Sequence, residues 1–533
     1  MKSKRYLILP MEGIRLSDAP TINLPRAFDL LNKLQPGNKS GVASLSKRLA
    51  AEIKGGRSRV KTAKTAKMSP SEPPQLEVVK SLNEDGVKLV MATEEMVVAM
   101  RLHNPGIRIV EEKFCRPALA PRVSVPSRPK RAARSAAPAK VAVAKPLTIQ
   151  VLRDGVGTPD KGAEVIAFRT SDDALKGKTN ASGKVSLRFG TAVSKLRRLY
   201  VYHEEAGIWG YFSRNVAVSP SGDFEVRLAP IDLSAADALR HFHGPGSLAD
   251  GEGVRVGIID SGTDPDHPDL KDAIEGGANC VPGSSRKGDD FGPDGAHGTH
   301  VAGIVAARGS SPTGMRGVAP GAKLRIYRVF ESGNEGDGSS FAIIDAIERA
   351  IDDRCDIINL SLAFPPGVID DAISDALRKA RNHGILAVAA AGNDGRQPVS
   401  FPGSDSHCVA VSAAGRKKTF PATATEVDDV AAPYGNDPGD FLGAFSNVGG
   451  ELDATGAGVG VVSTFPGGYG AMSGTSMACP AVSGVAARIL SKNAGVMSMP
   501  RDAARCDAIR GLLMDACMPL GFDLLFEGGG LPK

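Results

Sequence analysis

The chain has 533 residues, of which 42% are hydrophobic and 23% charged, with a formal net charge of +6. That is ordinary globular composition with room for about two to four domains, and no apolar run approaches the length a membrane-spanning helix needs. The charge is uneven: residues 42–67 carry eight Lys or Arg against the single acid Glu52, and residues 116–146 carry eight more with no acid. Their Ala, Ser and Pro content makes these a solvated tail and linker, not a specific nucleic-acid surface.

Residues 1–74 read as a poorly ordered basic region with one short amphipathic stretch near Ala27–Leu34. The opening MKSKRYLILPMEG has basic residues, but its apolar run from Tyr6 to Leu9 meets Pro10. That is too short for the core of a signal peptide, so the expected location is the cytoplasm, or export by a route the sequence does not display. Residues 75–115 change character. Leu76–Lys80, Val87–Met91 and Ile107–Val110 suit short strands. Thr93 is a good helix N-cap, followed by Glu94 and Glu95 in the first turn, and Asn104-Pro105-Gly106 must end that helix. The order strand, strand, helix, strand makes a small α+β module. Residues 116–146 read as a flexible linker, with Arg128-Pro-Lys-Arg131 exposed to cutting.

Residues 147–230 alternate with period two between turns at Asp154-Gly155, Asp160-Lys-Gly162 and Asn180-Ala-Ser-Gly183. Leu147–Val151, Ala163–Phe168, Lys184–Phe189 and Leu199–Tyr202 are its strands, and a small β-sandwich fits. From 231 to 533 the pattern becomes α/β. Apolar strand candidates at Val254–Ile259, Lys323–Val329, Ile357–Leu362 and Ile385–Ala390 alternate with helices such as Phe341–Asp352 and Val368–His383. This implies a mostly parallel sheet flanked by helices, with functional groups at the carboxyl ends of its strands. The seven cysteines, at positions 115, 280, 355, 408, 479, 506 and 517, show no Cys-x-x-Cys or metal spacing. They read as buried free thiols.

Three segments in the last region carry chemistry. Val254-Arg-Val-Gly-Ile-Ile-Asp260-Ser-Gly262 is an apolar strand that ends on a carboxylate. His297-Gly-Thr-His300-Val-Ala-Gly303 opens an apolar, small-residue helix; the positive helix end disfavours an imidazolium there, so a nearby carboxylate must support it. His297 and His300 lack a third ligand and a His-Glu-x-x-His frame, which argues against zinc. Ser473-Gly-Thr-Ser476-Met-Ala-Cys-Pro480 starts a second apolar helix, whose unpaired backbone N–H groups lie close to a serine hydroxyl. A Gly-x-Ser-x-Gly elbow is missing, and Ser follows His, which sets aside a serine esterase.

In the order Asp, His, Ser on a parallel α/β sheet, these segments closely resemble the subtilase family of serine proteases. Gly317-Val-Ala-Pro320, Ile358-Asn-Leu-Ser361-Leu362, Ala390-Ala-Gly-Asn393 and Phe445-Ser-Asn447 add to the resemblance, which covers residues 231–533. It implies a serine endopeptidase with Ser476 as nucleophile, His297 as general base and Asp260 orienting the base, acting through an acyl-enzyme. Asn393, with the Ser476 N–H, would form the oxyanion hole; His300 is expected to be a packed structural residue. Extended protein or peptide substrate would add as a strand between Gly336-Asp337-Gly338 and Ser361-Leu362-Ala363, and Ala391-Gly392 would line the pocket before the cut. Ala363 stands where the family usually has Gly, and Cys479 and Ala481 replace the commonest Ser and His. The chemistry needs no cofactor. Structural calcium is known in the family, and the loop 416–440 holds Glu426, Asp428, Asp429, Asp437 and Asp440, though without regular ligand spacing. The 75–115 module resembles the family's inhibitory propeptide, which implies a self-inhibited precursor whose own N-terminal module is the intramolecular partner. A binding protein on a protease scaffold is the competing reading, and the complete Asp, His and Ser set argues against it.

Overall fold

The computed structural model describes residues 3–10, 33–34, 38–57, 76–83, 86–103, 107–125, 146–153, 157–190, 193–203, 205–219, 222–330 and 337–533. Residues 27–32 of the amphipathic stretch, Asn104-Pro105-Gly106, the Arg128–Arg131 cluster, Asp154-Gly155 and Gly336 lie outside them.

The largest element is an eight-stranded sheet. Its main path runs Ile274–Asn279, Lys323–Arg328, Arg255–Asp260, Ile357–Leu360, Leu386–Ala390, Cys408–Arg416 and Asp440–Leu442, with Leu452–Ala457 also paired to Cys408–Arg416. All of these pairs are parallel except the one with Asp440–Leu442. The expected α/β architecture is therefore present. Its strands are near-continuous apolar runs because both faces are covered by helices. On one face, Ile258, Val388 and Val411 share a core with the helices His297–Ala306 and Thr475–Ser491. On the other, Ile259, Ile358 and Ala389 share a core with Ser340–Asp352 and Asp371–Asn382.

The N-terminal region departs from expectation. Strand β1, Lys4–Pro10, is not part of a disordered tail; it is a central strand of a four-stranded sheet. It pairs antiparallel with β3, Lys88–Ala92, and with β4, Ile107–Glu111, while β2, Glu77–Ser81, lies outside β3. The physical reason is alternation over a two-sided core. Tyr6 and Ile8 face Leu45, Leu49, Met96 and Met100 of the helices Lys39–Arg57 and Glu94–His103. Leu7 and Leu9 face the other way, into the core that holds Phe341, Ile344, Ile373 and Leu377. The module is thus wedged against two helices of the large domain. Lys80 pairs with Asp345 at 2.9 Å, and Arg108 pairs with Asp375.

The linker assigned to 116–146 also begins later than expected. Residues 114–120 lie along the large domain, with β5, Phe114–Pro117, forming a small sheet between Gly338–Ser339 and Leu362–Ala363. Between Leu147 and Leu228 two further four-stranded sheets enclose one apolar core that includes Ile149, Val165, Leu199, Val201 and Val226. The outer side of the second sheet carries a smaller cluster of Ile166, Phe168, Tyr200 and Phe212.

Candidate active site

Asp260 ends a central strand of the parallel sheet, and its carboxylate is fully buried. Its Oδ1 accepts from His297 Nδ1 at 2.7 Å and from the Ser261 N–H at 2.6 Å. This fixes the ring and holds the proton on Nδ1. His297 begins a ten-residue helix in which every residue is buried. The helix comes this close to the strand because its contact residues are small: a Cβ at position 298 would lie 2.1 Å from the Gly262 carbonyl oxygen. The other ring nitrogen, Nε2, is buried without a hydrogen-bond partner among the described residues.

Ser476 lies in the first turn of Thr475–Ser491, where main-chain N–H groups are free of helical partners. Its Oγ donates to the Ser361 carbonyl at 2.8 Å, and the Ser361 hydroxyl in turn donates to the Ser476 carbonyl at 2.8 Å. Asn359 fixes that hydroxyl through Nδ2 at 2.9 Å. The Ser476 hydroxyl is therefore held against Ser361 and not against His297. Asn393 accepts from the Thr475 N–H through Oδ1 at 2.9 Å, while its Nδ2 is buried with no partner among the described residues. A buried amide N–H₂ left open beside a serine is a donor waiting for an oxygen.

The protein's own chain fills the cleft. β5 pairs antiparallel with both walls, Cys115 opposite Gly338, Arg116 opposite Ala363 and Pro117 opposite Leu362. The Ala118 N–H donates to the Ser361 carbonyl at 3.1 Å. At Ala118 the backbone turns sharply, Leu119 N–H bonding to the Pro117 carbonyl at 2.9 Å. That turn presents the Ala118 carbonyl to the Ser476 N–H at 3.0 Å, and the Ala120 N–H then donates to the Ser473 carbonyl at 2.8 Å. Gly474, at φ 154°, permits this approach, since a Cβ there would lie 2.5 Å from the Ala118 oxygen.

Of the residues expected to bind substrate, Gly338, Ser361, Leu362 and Ala363 touch this segment through the main chain. Asp337 meets the Arg116 side chain at 3.3 Å. Ala391 and Gly392 are buried one step behind, with the Gly392 N–H on Thr475 Oγ1 at 3.1 Å. His300 is fully buried, with Nε2 on the carbonyls of Val461 and Gly470 at 3.0 and 3.2 Å; burial pushes its pKa down to about 3. Cys479 lies three residues beyond Ser476 on the same helix, its Sγ 3.2 Å from Asn359 Oδ1, and burial raises its thiol. In the 416–440 loop, Asp428 accepts from Tyr200 Oη and Arg214, while Asp437 and Asp440 pair with Arg416. No three His, Cys, Asp or Glu side chains converge as a metal site among the described residues. No helix among them is long and apolar enough to cross a membrane.

The strand through the cleft is hidden in the sequence because Arg116 and Pro117 open a basic, Pro-rich stretch and group with it. The available signal is local: Phe114 to Ala120 carries one charge, against the dense charge that follows.

A family model described as "Subtilase family" matches residues 251–526. The chain is 42% identical over 244 residues to subtilisin NAT of Bacillus subtilis subsp. natto, covering 46% of this chain and 57% of that protein. It is 41% identical to a subtilisin of Bacillus pumilus, over 46% of this chain and 78% of that protein. It is 36% identical to the major intracellular serine protease of Bacillus subtilis (strain 168), over 45% and 69% respectively. The match thus spans little more than half the length of the first of these relatives.

Proposed function

This chain belongs to the subtilase family, and we propose that it is a serine endopeptidase made as a self-inhibited precursor. The observation that carries the reading is the Ala118 carbonyl on the Ser476 N–H, while Asn393, anchored on the neighbouring Thr475 N–H, keeps a buried Nδ2 without a partner among the described residues. Residues 114–120 lie in the cleft as a polypeptide substrate would.

The mechanism follows from these groups. The Ser476 hydroxyl leaves the Ser361 carbonyl and turns to His297 Nε2, which takes its proton as Oγ attacks the carbonyl carbon. Charge moves to the carbonyl oxygen, where the Ser476 N–H and Asn393 Nδ2 stabilise it. Asp260 supports the imidazolium. When the tetrahedral adduct collapses, the C–N bond breaks and His297 returns the proton to the leaving amine. Water, deprotonated by His297, then releases the acid and restores Ser476.

Residues 4–118, the sheet β1–β4 with its helices and β5, form the inhibitor, and Ala118–Leu119 is the bond cut in self-processing. The two-sheet unit of 147–230 is an accessory β-sandwich that stays with the large domain after the cut. Wild type and Ser476→Ala are compared by intact mass and N-terminal sequencing. A wild-type fragment starting at Leu119, with Ser476→Ala left whole, is the expected result. Equal cutting of both proteins, or no labelling of the processed wild type by a fluorophosphonate, would overturn the reading.

A further inference from the structure

The cleft segment does not end at the catalytic residues. Beyond Ala120 it crosses to the outer face of the two-sheet unit. In the strand Lys195–Tyr202, alternation sends Leu199 and Val201 into that unit's core and turns Tyr200 and Tyr202 outward, where their rings stack at 6.0 Å. The Val123 N–H donates to Tyr202 Oη at 3.1 Å, and the Arg122 guanidinium lies 5.2 Å from the Tyr202 ring centroid. Val123 and Val125 pack on the cluster of Ile166, Phe168, Tyr200 and Phe212.

This face is held in register with the nucleophile. The Phe212 N–H donates to the Thr423 carbonyl at 2.7 Å, and Tyr200 Oη and Arg214 both reach Asp428 at 2.6 Å. Phe420 and Val430 of the same loop pack into the core that contains Met477, next to Ser476.

We propose that the Tyr200–Tyr202 face is a substrate subsite of the peptidase. It takes an extended polypeptide at the fourth and fifth residues beyond the cut bond. A cation at the fourth lies over the Tyr202 ring, and an apolar residue at the fifth gives its N–H to Tyr202 Oη. Arg122 and Val123 hold those places in the precursor. The inference rests on the peptidase reading and extends its substrate class to polypeptides with a basic residue at that distance.

The test uses the full chain after its own processing and three peptides that share the sequence of residues 114–118 before the cut. One ends two residues beyond the cut; one extends to seven with Arg fourth and Val fifth; the last has Glu in place of that Arg. The Arg peptide should exceed the short one in kcat/KM by about tenfold, from one hydrogen bond and one exposed cation–π contact. The Glu peptide should lose most of that gain. Tyr202→Ala should level all three without changing the short peptide, and Tyr202→Phe should keep the Arg-over-Glu preference while losing part of the length effect. Equal wild-type rates for the short and Arg peptides overturn the proposal, including the case where Leu119–Val125 keeps the site after the cut. So does a gain that survives Tyr202→Ala. If Tyr202→Ala fails to fold, the wild-type Arg-to-Glu ratio decides. If the wild type cuts no peptide at all, the peptidase reading itself has failed.

Discussion

Asn393 has two ends with separate jobs. Its Oδ1 is committed to the Thr475 N–H, which fixes the amide plane, and its Nδ2 is buried without a partner among the described residues. If Asn393 serves as an oxyanion-hole donor, as proposed, replacement by Ala should lower kcat by about 100- to 1,000-fold with little change in KM, measured on a short peptide. His300, three residues after His297, behaves differently. Its ordinary value of 6.5 is pushed down to about 3 by burial. Below pH 6.5 the unfolded chain binds a proton there that the folded chain refuses. The stability His300 supports is therefore full above pH 6.5 and is lost as the pH falls toward 3. By pH 5 the loss is about 2 kcal/mol. Thermal melts at pH 7.5 and pH 5 should show it, and His300→Asn should be less sensitive across that interval. The positions of Asp260 at the end of a strand and of His297 and Ser476 at the start of helices were legible in the sequence, because apolar runs beside them mark those elements, whereas their roles rest on the family resemblance. The Ser476–Ser361 hydrogen bond was not legible, since two residues so far apart in the chain meet only through tertiary packing.

At the scale of elements, the cross-domain pairs give the clearest prediction. Asp345 is nearly buried and is paired with Lys80 of the N-terminal module. Lys80→Ala should weaken the module's hold by about 1 kcal/mol, seen as a shorter lag before peptide hydrolysis begins, with the final rate unchanged. The turn that follows β5 is tested from its opposite side. Gly474→Ala adds a Cβ where the Ala118 oxygen and the Leu119 Cα already stand, at 2.5 and 3.0 Å. Self-processing should slow sharply, by a factor that corresponds to about 1–3 kcal/mol, when followed as the rate of fragment appearance. Four of the eight strands of the large sheet, Arg255–Asp260, Lys323–Arg328, Ile357–Leu360 and Leu386–Ala390, were readable to within a few residues because they are continuous apolar runs between turn signals. β1 was not, because Tyr6–Leu9 is short and its partners β3 and β4 lie some eighty and a hundred residues away. Local pattern carries no record of such pairing.

At the scale of the molecule, the module uses one side of its sheet for itself and the other for the large domain, so each stabilises the other while they remain joined. Intact Ser476→Ala should melt above the processed wild type by about 5 °C or more in calorimetry, because the bound module favours the folded state. The proposed cut falls between two N-terminal units with opposite fates, one released and one retained. Cysteine chemistry makes that separation countable. Cys115, buried opposite Gly338 with its thiol raised by burial, is the only cysteine upstream of Leu119. The other cysteines are buried as well, apart from the half-buried Cys517. When the module departs it takes a single masked thiol out into water. A thiol reagent that finds the precursor nearly inert should therefore gain one fast-reacting group per chain as maturation proceeds, which turns a structural staple of the closed cleft into a stoichiometric clock of its opening.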